Sequence, residues 1–419
     1  MTMMKRQSKP DVVAGLDIGS GRVTCLIGSV DPGTGAVTVL GGSSVVCRGL
    51  KGGVVINIIE AASAVTRAVE EAEAAAGATV SQVWLGVRGS HLQSFNNRGA
   101  YNIARTDREI TADDVHAVVS SAKAIPLSTD REILHVVPQG FSLDRQRGVP
   151  HPVGMEASLL EVDVHLVTAS SAHLNNVMKT VGQAGFEVVE PVYGLLAAGE
   201  LLVTQEEKEL GCVIVDMGGQ GISIGVYCEG SIKYSKEIPL GCDFITRDLA
   251  VGLKTSINTA EKIKVEHGIA HPSLLNGDHE FECHGIDGRT PLRVKTSTMM
   301  GIILPRVEEI FSIIAEDLQN SSYADIVAPG GAILTGGGSQ MRGTAQAAQQ
   351  IMGLPVRIGL AHPDQVHSDE KWLSPVYSTA LGLLLYSQSP RWGGVDTRSV
   401  SRKKPAWMRK LQATLQELF

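Results

Sequence analysis

Residues 14–28 read AGLDIGSGRVTCLIG, residues 213–227 read VIVDMGGQGISIGVY, and the two superpose at a constant offset of 199 residues. Asp17 falls on Asp216 and Gly19 on Gly218. In each copy an apolar run ends in Asp, a glycine-rich turn follows, and a second run alternates: Val23, Cys25 and Ile27 in one, Ile222, Ile224 and Val226 in the other. Period-two alternation around a short glycine turn is the pattern of a β-hairpin. Two such hairpins half a chain apart predict a duplicated domain with a cleft between the copies.

Around the first hairpin, apolar residues at helical spacing predict a helix over 60–76, stopped at Gly77 and followed by the strand VWLGV. Further on, strand VDVHLVTA (162–169), a helix with Leu174, Val177, Met178 and Val181 on one face, Gly185 and strand FEVVE read as a βαβ unit, so the core is α/β. Residues 86–160 carry their own elements, including a helix opened by a Thr111 to Asp114 capping pattern, and are expected to form an inserted subdomain. The expected division is 11–85 with 161–200 as the core of lobe 1, 201–243 with 328–386 as the core of lobe 2, and 244–327 as a second subdomain of lobe 2. Within the last, helices are predicted at about 255–267 and 299–319, with Pro305 kinking or restarting the second. Residues 387–404 read as a flexible basic linker and 405–419 as a helix.

A triphosphate needs many N–H donors pointed at it, and a glycine turn after a strand supplies them because the backbone can approach the oxygens. One DxGxG turn is equally the turn of an ordinary hairpin. Two at equivalent positions, with Asp17 and Asp216 at strand ends able to hold hydrated Mg²⁺ between them, point to phosphate. Gly336, Gly337 and Gly338 follow strand GAILT and precede a helix at about 340–352, which suits either an adenine platform or a plain helix-entry loop.

Taken in this order, the segments resemble the actin, Hsp70 and sugar kinase superfamily, and within it the FtsA family of bacterial cell division proteins. GLDIGSGRVTCLIG looks like its first phosphate segment, EPVYGLLAAGELL like the first connecting helix, VIVDMGGQGISIGVY like the second phosphate segment, AILTGGGSQMRG like the adenosine segment and YSTALGLLLY like the second connecting helix. The insert at 86–160, placed where that family has its 1C subdomain, the sequence AEKIKVEHG and an amphipathic C-terminus point to FtsA rather than to a kinase. The resemblance implies an actin-like duplicated ATPase fold with two lobes around an ATP cleft. It also implies that Asp17 and Asp216 order Mg²⁺ through water, that Gly19, Ser20, Gly21, Gly218 and Gly219 line the phosphates, that Glu261 and Lys264 face the ribose, and that Gly336 to Gly338 back the adenine. Glu190, before Pro191, matches the position that orients water in related filament proteins, although a carboxylate at a helix start is also favoured by the dipole alone. One departure stands out. The second phosphate segment usually reads Asp-x-Gly-Gly-Gly-Thr, but here Gln220 and Gly221 fill the last two places. If position 220 needs positive φ or lies against the γ-phosphate, Gln220 crowds it, so ATP binding with slow hydrolysis is expected.

Of the 419 residues, 43% are hydrophobic and the net charge is −7, a globular composition with 46 glycines. The charge is uneven: residues 391–419 carry +5 and the remainder −12. An acidic body argues against nucleic acid as a partner. Six scattered cysteines without metal spacing read as reduced thiols, and neither a signal peptide nor a spanning helix is predicted. In PAWMRKLQATLQELF, Trp407, Met408, Leu411, Leu415, Leu418 and Phe419 share one stripe, preceded by Arg402, Lys403 and Lys404. A terminal helix of this kind docks on the body, on a partner, or on a membrane; the basic run and bulky apolar face favour an anionic lipid surface. The resemblance implies a peripheral protein on the cytoplasmic face of the inner membrane at the division site, forming filaments, binding the C-terminal tail of FtsZ through 244–327 and later division proteins through 1C. Arg306 is the candidate contact for that acidic tail; a solvated helix residue is the plainer reading. The alternatives are an FtsA-like type IV pilus assembly scaffold and a metabolic phosphotransferase of the same superfamily.

Overall fold

The computed structural model describes residues 11–388 apart from Pro32 and Ser322. Six strands form the first large sheet, in the order Glu187–Tyr193, Gln82–Val87, Asp11–Ile18, Arg22–Val30, Val37–Val46 and Val366–His367. Five form the second: Val356–Ile358, Ala332–Thr335, Cys212–Met217, Ile222–Cys228 and Ser231–Ile238. In both sheets the Asp-bearing strand begins an antiparallel meander on one side and has two parallel strands on the other. The duplication read from the two hairpins is thus a duplication of topology.

Helix Ile58–Ala76 covers the first sheet. Asn57 caps it by accepting from the backbone N–H of Ile59 and Glu60, and Gly77 ends it at φ 63°. Ala61, Val65, Ala68, Val69 and Ala72 face Leu16, Val23, Cys25 and Ile27 of the hairpin in one buried cluster. Each fully buried valine or leucine there is worth about 1.5 to 3 kcal/mol over exposure. The two lobes are joined by helices Gly194–Leu202 and Ser378–Tyr386, which touch so closely that a Cβ on Gly382 would lie 2.0 Å from the Ala197 carbonyl oxygen.

Two expected elements belong elsewhere. Strand Val366–His367, within the 328–386 stretch assigned to the lobe 2 core, pairs instead with Val37–Val46 in the first sheet, because a two-residue strand carries no alternation that could reveal its partner. Strand Leu159–Ser170, read as part of the lobe 1 core, pairs with Leu92–Asn102 on one side and Arg131–Leu143 on the other. With Gln146–Val149 these make the four-stranded sheet of the insert, roofed by helix Ala112–Lys123. Alternation identifies a strand and its buried face but says nothing about its neighbours. The βαβ unit of lobe 1 is instead Gln82–Val87, helix Ser171–Gln183 and Glu187–Tyr193, with the insert between its first two members. Thr111 and Asp114 form the capping box at the start of the roof helix.

Lobe 2 carries helices Asp243–Gly252, Ile257–His267 and Thr296–Asn320 and a small hairpin, Glu280–His284 with Pro291–Lys295. Pro305 lies inside the continuous 25-residue helix Thr296–Asn320 rather than at a boundary. The insert reaches across to lobe 2 and grips the outer edge of strand Ser231–Ile238. Ser94 donates to the Ser235 carbonyl at 2.6 Å, Asn96 to that of Lys233 at 2.8 Å and Gln139 to that of Ile232 at 2.7 Å. His165 joins Asn96 and Ser235 side chains at 2.7 and 2.9 Å. All six cysteines are free, and among the described residues no helix is long and apolar enough to cross a membrane.

Candidate functional site

The two hairpin turns are built alike. Gly19 N–H donates to the Arg22 carbonyl at 2.9 Å and, 199 residues on, Gly218 N–H donates to that of Gly221 at 3.0 Å. Parallel pairing sets Asp17 level with Gly86 and Asp216 level with Thr335, at the carboxyl ends of their sheets, where open α/β sheets take ligands. None of Gly19, Gly21, Gly218 and Gly219 has positive φ; Gly336 does, at 79°. A Cβ on Gly336 would lie 2.4 Å from Asp216 Oδ1, so that turn demands glycine twice over. The side chain of Asp216 is 2% exposed and that of Asp17 14%. The Oδ1 atom of each is buried without a hydrogen-bond partner. Two orphaned carboxylate oxygens above glycine-walled turns fit the hydrated dication and phosphates that the turns imply.

On the lobe 2 side the predicted residues come together. Cys242 N–H donates to the Gly218 carbonyl at 3.0 Å and Asp243 N–H to that of Gly219 at 2.7 Å, so helix Asp243–Gly252 starts against the turn. Gly338 fits beneath Cys242, where a Cβ would meet Sγ at 2.3 Å. Gly337, in contrast, has nothing within 4 Å of an added Cβ and opens to space. Lys264 Nζ lies 2.7 Å from Glu261, 2.8 Å from Thr246 Oγ1 and 3.3 Å from the Cys242 carbonyl, which places Glu261 and Lys264 beside the same shelf.

Contacts also cross between the lobes, and these escaped sequence reasoning. Gln220 Oε1 accepts from Gly52 N–H at 2.7 Å, so the residue that departs from the family pattern ties the second turn to lobe 1. Gln220 is not among the non-glycine residues of positive φ, so the expected torsional conflict does not arise. Within lobe 1, Ser20 Oγ accepts from Gly53 N–H at 3.2 Å, beside that bridge. Glu237 accepts from Gly89 N–H at 3.2 Å, and burial raises its pKa against the hydrogen bonds of Ser223 and Tyr193. Arg88 pairs with Asp216 at 2.7 Å and stands 3.7 Å from Asp17. Burial works against its charge, but Asp216 and Asp17 outweigh it and raise the pKa. For Asp17 burial dominates and raises the pKa, with Arg88 opposing. A basic residue closing the apolar strand Gln82–Val87 was the available signal.

Glu190 is 5% exposed and lies in strand Glu187–Tyr193, level with Trp84, while Val192 is the residue level with Gly86 and hence with Asp17. It is therefore a buried strand residue two positions short of the aspartate level, not a surface carboxylate. Arg306 is held at 2.6 Å by Asp248, also contacts Glu309, and its guanidinium lies 5.5 Å from the Phe244 ring centroid. Trp407, Met408, Leu411, Leu415, Leu418 and Phe419 lie outside the described residues.

The family model for cell division protein FtsA matches residues 213–382, and that for the SHS2 domain inserted in FtsA matches 89–168. The second span includes most of strand Leu159–Ser170, in agreement with its pairing in the insert. Cell division protein FtsA of Pseudomonas aeruginosa is 34% identical over 385 residues, covering 92% of this chain and 91% of that protein. The chain belongs to the FtsA family. FtsA of Escherichia coli K12 is 32% identical over 97% of this chain and 98% of its own. Among solved structures, the PilM-PilN type IV pilus biogenesis complex has a TM-score of 0.67 at 17% identity, covering 90% of this chain and 99% of that one. MreB5 of Spiroplasma citri bound to ADP has 0.52 at 14%, covering 88% and 94%. The fold of this FtsA-family chain is accordingly actin-like.

Proposed function

We propose that the chain is an actin-like, ATP-binding cell division protein that forms filaments on the cytoplasmic face of the inner membrane and tethers the FtsZ ring there, recruiting later division proteins through its insert. The observation that carries this reading is the pair of topologically identical Asp-Gly turns facing one cleft in a chain that aligns with FtsA proteins over nearly its whole length. Asp17 and Asp216 would hold hydrated Mg²⁺, Gly19, Ser20, Gly21, Gly218 and Gly219 the phosphates, Glu261 and Lys264 the ribose, and Gly336 to Gly338 the adenine. Bound Mg²⁺ supplies neutralisation of phosphate charge. Glu190 is the candidate for orienting water, and slow turnover is expected because it lies two positions along its strand from the level of Asp17. An acidic FtsZ tail at Arg306 would have to compete with Asp248 and Glu309 for the same guanidinium.

Membrane attachment through 405–419 follows from its apolar stripe. Six bulky side chains at about 1.5 to 3 kcal/mol each give a gross burial on the order of 10 kcal/mol. Ordering the helix subtracts most of that, and a single copy binds reversibly. Linking copies in a filament turns later contacts into intramolecular ones and lengthens residence steeply. The test is sedimentation with anionic liposomes of the full chain and of a chain ending at Ser401, with and without ATP and an FtsZ tail peptide. Equal pelleting of the two forms would end the anchor reading.

A further inference from the structure

The place between Asp17 and Asp216 that suits a dication is held by a side chain of the protein. Arg88 Nη1 lies 2.7 Å from Asp216 Oδ2, Nε lies 3.7 Å from Asp17 Oδ1, and Nη2 donates to Thr379 Oγ1. These partners belong to lobe 2, to lobe 1 and to the second connecting helix, so one guanidinium joins the three parts that border the cleft. Only 20% of the Arg88 side chain is exposed. Its backbone is clamped as well: a Cβ on Gly53, which has φ 80°, would lie 2.3 Å from the Arg88 carbonyl oxygen, and the next N–H is engaged by Glu237. The placement is therefore built, not a stray surface rotamer. Arginine cannot shed its proton in a protein, so its charge confronts whatever other cation approaches these carboxylates.

We propose that Arg88 is an internal counter-cation of the cleft, competing with hydrated Mg²⁺ for Asp17 and Asp216, so that loading Mg·ATP must first break the Arg88–Asp216 pair. The inference rests on the ATP reading above and deepens it. Asp216 has one oxygen on the guanidinium and one buried without a partner. A dication held by both aspartates would then stand beside a fixed positive charge in a poorly solvated site, where like charges repel strongly. The physical result is a threshold. At low Mg·ATP the guanidinium keeps the carboxylates neutralised and the lobes pinned to each other; at high Mg·ATP it gives way.

The test compares the full chain carrying Arg88→Gln or Arg88→Lys with the wild type, titrating a fluorescent ATP analogue at graded Mg²⁺ and recording melting with Mg²⁺ alone. R88Q is expected to reach half-saturation at Mg²⁺ concentrations at least tenfold lower, while R88K stays within about threefold of wild type. Without ligand R88Q is expected to melt lower, and Mg²⁺ alone to raise its melting temperature more than that of wild type. Wild type that binds the analogue while R88Q needs as much Mg²⁺, or more, overturns the competition and leaves the ATP reading standing. Failure of all three proteins to bind overturns both. Should R88Q not fold, wild type labelled with ¹⁵N-arginine decides the matter: the Arg88 Nε signal, identified by its loss in R88K, must move when Mg·ATP binds, and a bound complex with an unmoved signal refutes the proposal.

Discussion

Gly336 and Gly337 are neighbours in a run of three glycines and look interchangeable in the sequence, yet the structure predicts opposite consequences for Gly336→Ala and Gly337→Ala. At Gly336 a methyl group would sit 2.4 Å from Asp216 Oδ1 and 2.8 and 2.9 Å from the Met217 carbonyl and amide, at a φ of 79°. Left-handed φ costs an L-residue about 1 to 2 kcal/mol, and forcing atoms into a packed site adds roughly 1 to 3 kcal/mol. The Met217 backbone cannot give way, so the displacement falls on the Asp216 carboxylate. G336A is expected to lose about 2 to 5 kcal/mol of stability in urea denaturation, with weakened ATP binding because Asp216 is displaced. At Gly337 a methyl group meets nothing within 4 Å, so G337A should fall within about 0.5 kcal/mol of wild type. Its open side is where an adenine ring would lie, so its affinity for ATP is expected to fall with folding intact. Equal destabilisation by the two substitutions would refute the steric argument; G337A binding ATP like wild type would remove the adenine from this glycine.

His135 and His165 are each 1% exposed, and burial lowers their pKa values to about 3 and about 4, from the ordinary 6.5. The unfolded chain then binds more protons than the folded one between pH 6.5 and those values, so stability falls as pH falls through that window, by about 2 kcal/mol per histidine from pH 7 to pH 5. Burial raises Asp17 and Glu237, which act in the opposite direction. Denaturation of wild type and His165→Asn at both pH values checks this; an unchanged difference between pH 7 and pH 5 in H165N would show that His165 does not contribute. Gln220→Ala removes the acceptor of Gly52 N–H across the cleft. About 1 kcal/mol of stability should go with it, and hydrogen exchange at Gly52 should speed up, whereas an unaltered Gly52 amide would mean that the bridge is not populated.

The cleft was legible because its makers are local. Asp17 and Asp216, their glycine turns and the 199-residue offset lie within two short segments, and hairpin alternation is a period that sequence reveals directly. Pairing partners are not local. Strand Leu159–Ser170 shows its alternation as clearly as any core strand, yet its ladder runs to Leu92–Asn102, some sixty residues away, and nothing in its own residues distinguishes that sheet from the next. Arg88 and Glu237 were missed for the same reason, and Gln220, singled out only as a departure from the family pattern, gave no sign of its bridge to Gly52. Each acquires its meaning from a group more than a hundred residues off, the Asp216 carboxylate for Arg88 and the backbone N–H of Gly52 and Gly89 for Gln220 and Glu237, once the parallel register of Gln82–Val87 against Asp11–Ile18 has set Arg88 next to the cleft. Lys264 and Glu261 carry no such signal in isolation either, and only the family resemblance reached them.

The grip of the insert on strand Ser231–Ile238 has a mechanical meaning. The carbonyls of Ile232, Lys233 and Ser235 are satisfied by side chains of Gln139, Asn96 and Ser94, not by another strand's backbone. A backbone ladder would weld the insert to lobe 2 and leave only breakage as a way to move. Side-chain donors bend at their own torsions and can follow a carbonyl through small displacements or exchange it for the next one along. The same contacts cover a sheet edge that would otherwise be open to pairing with a foreign strand. The insert therefore meets lobe 2 through a contact whose chemistry tolerates sliding, at a surface remote from the cleft, while keeping the strand edge covered against adventitious strands.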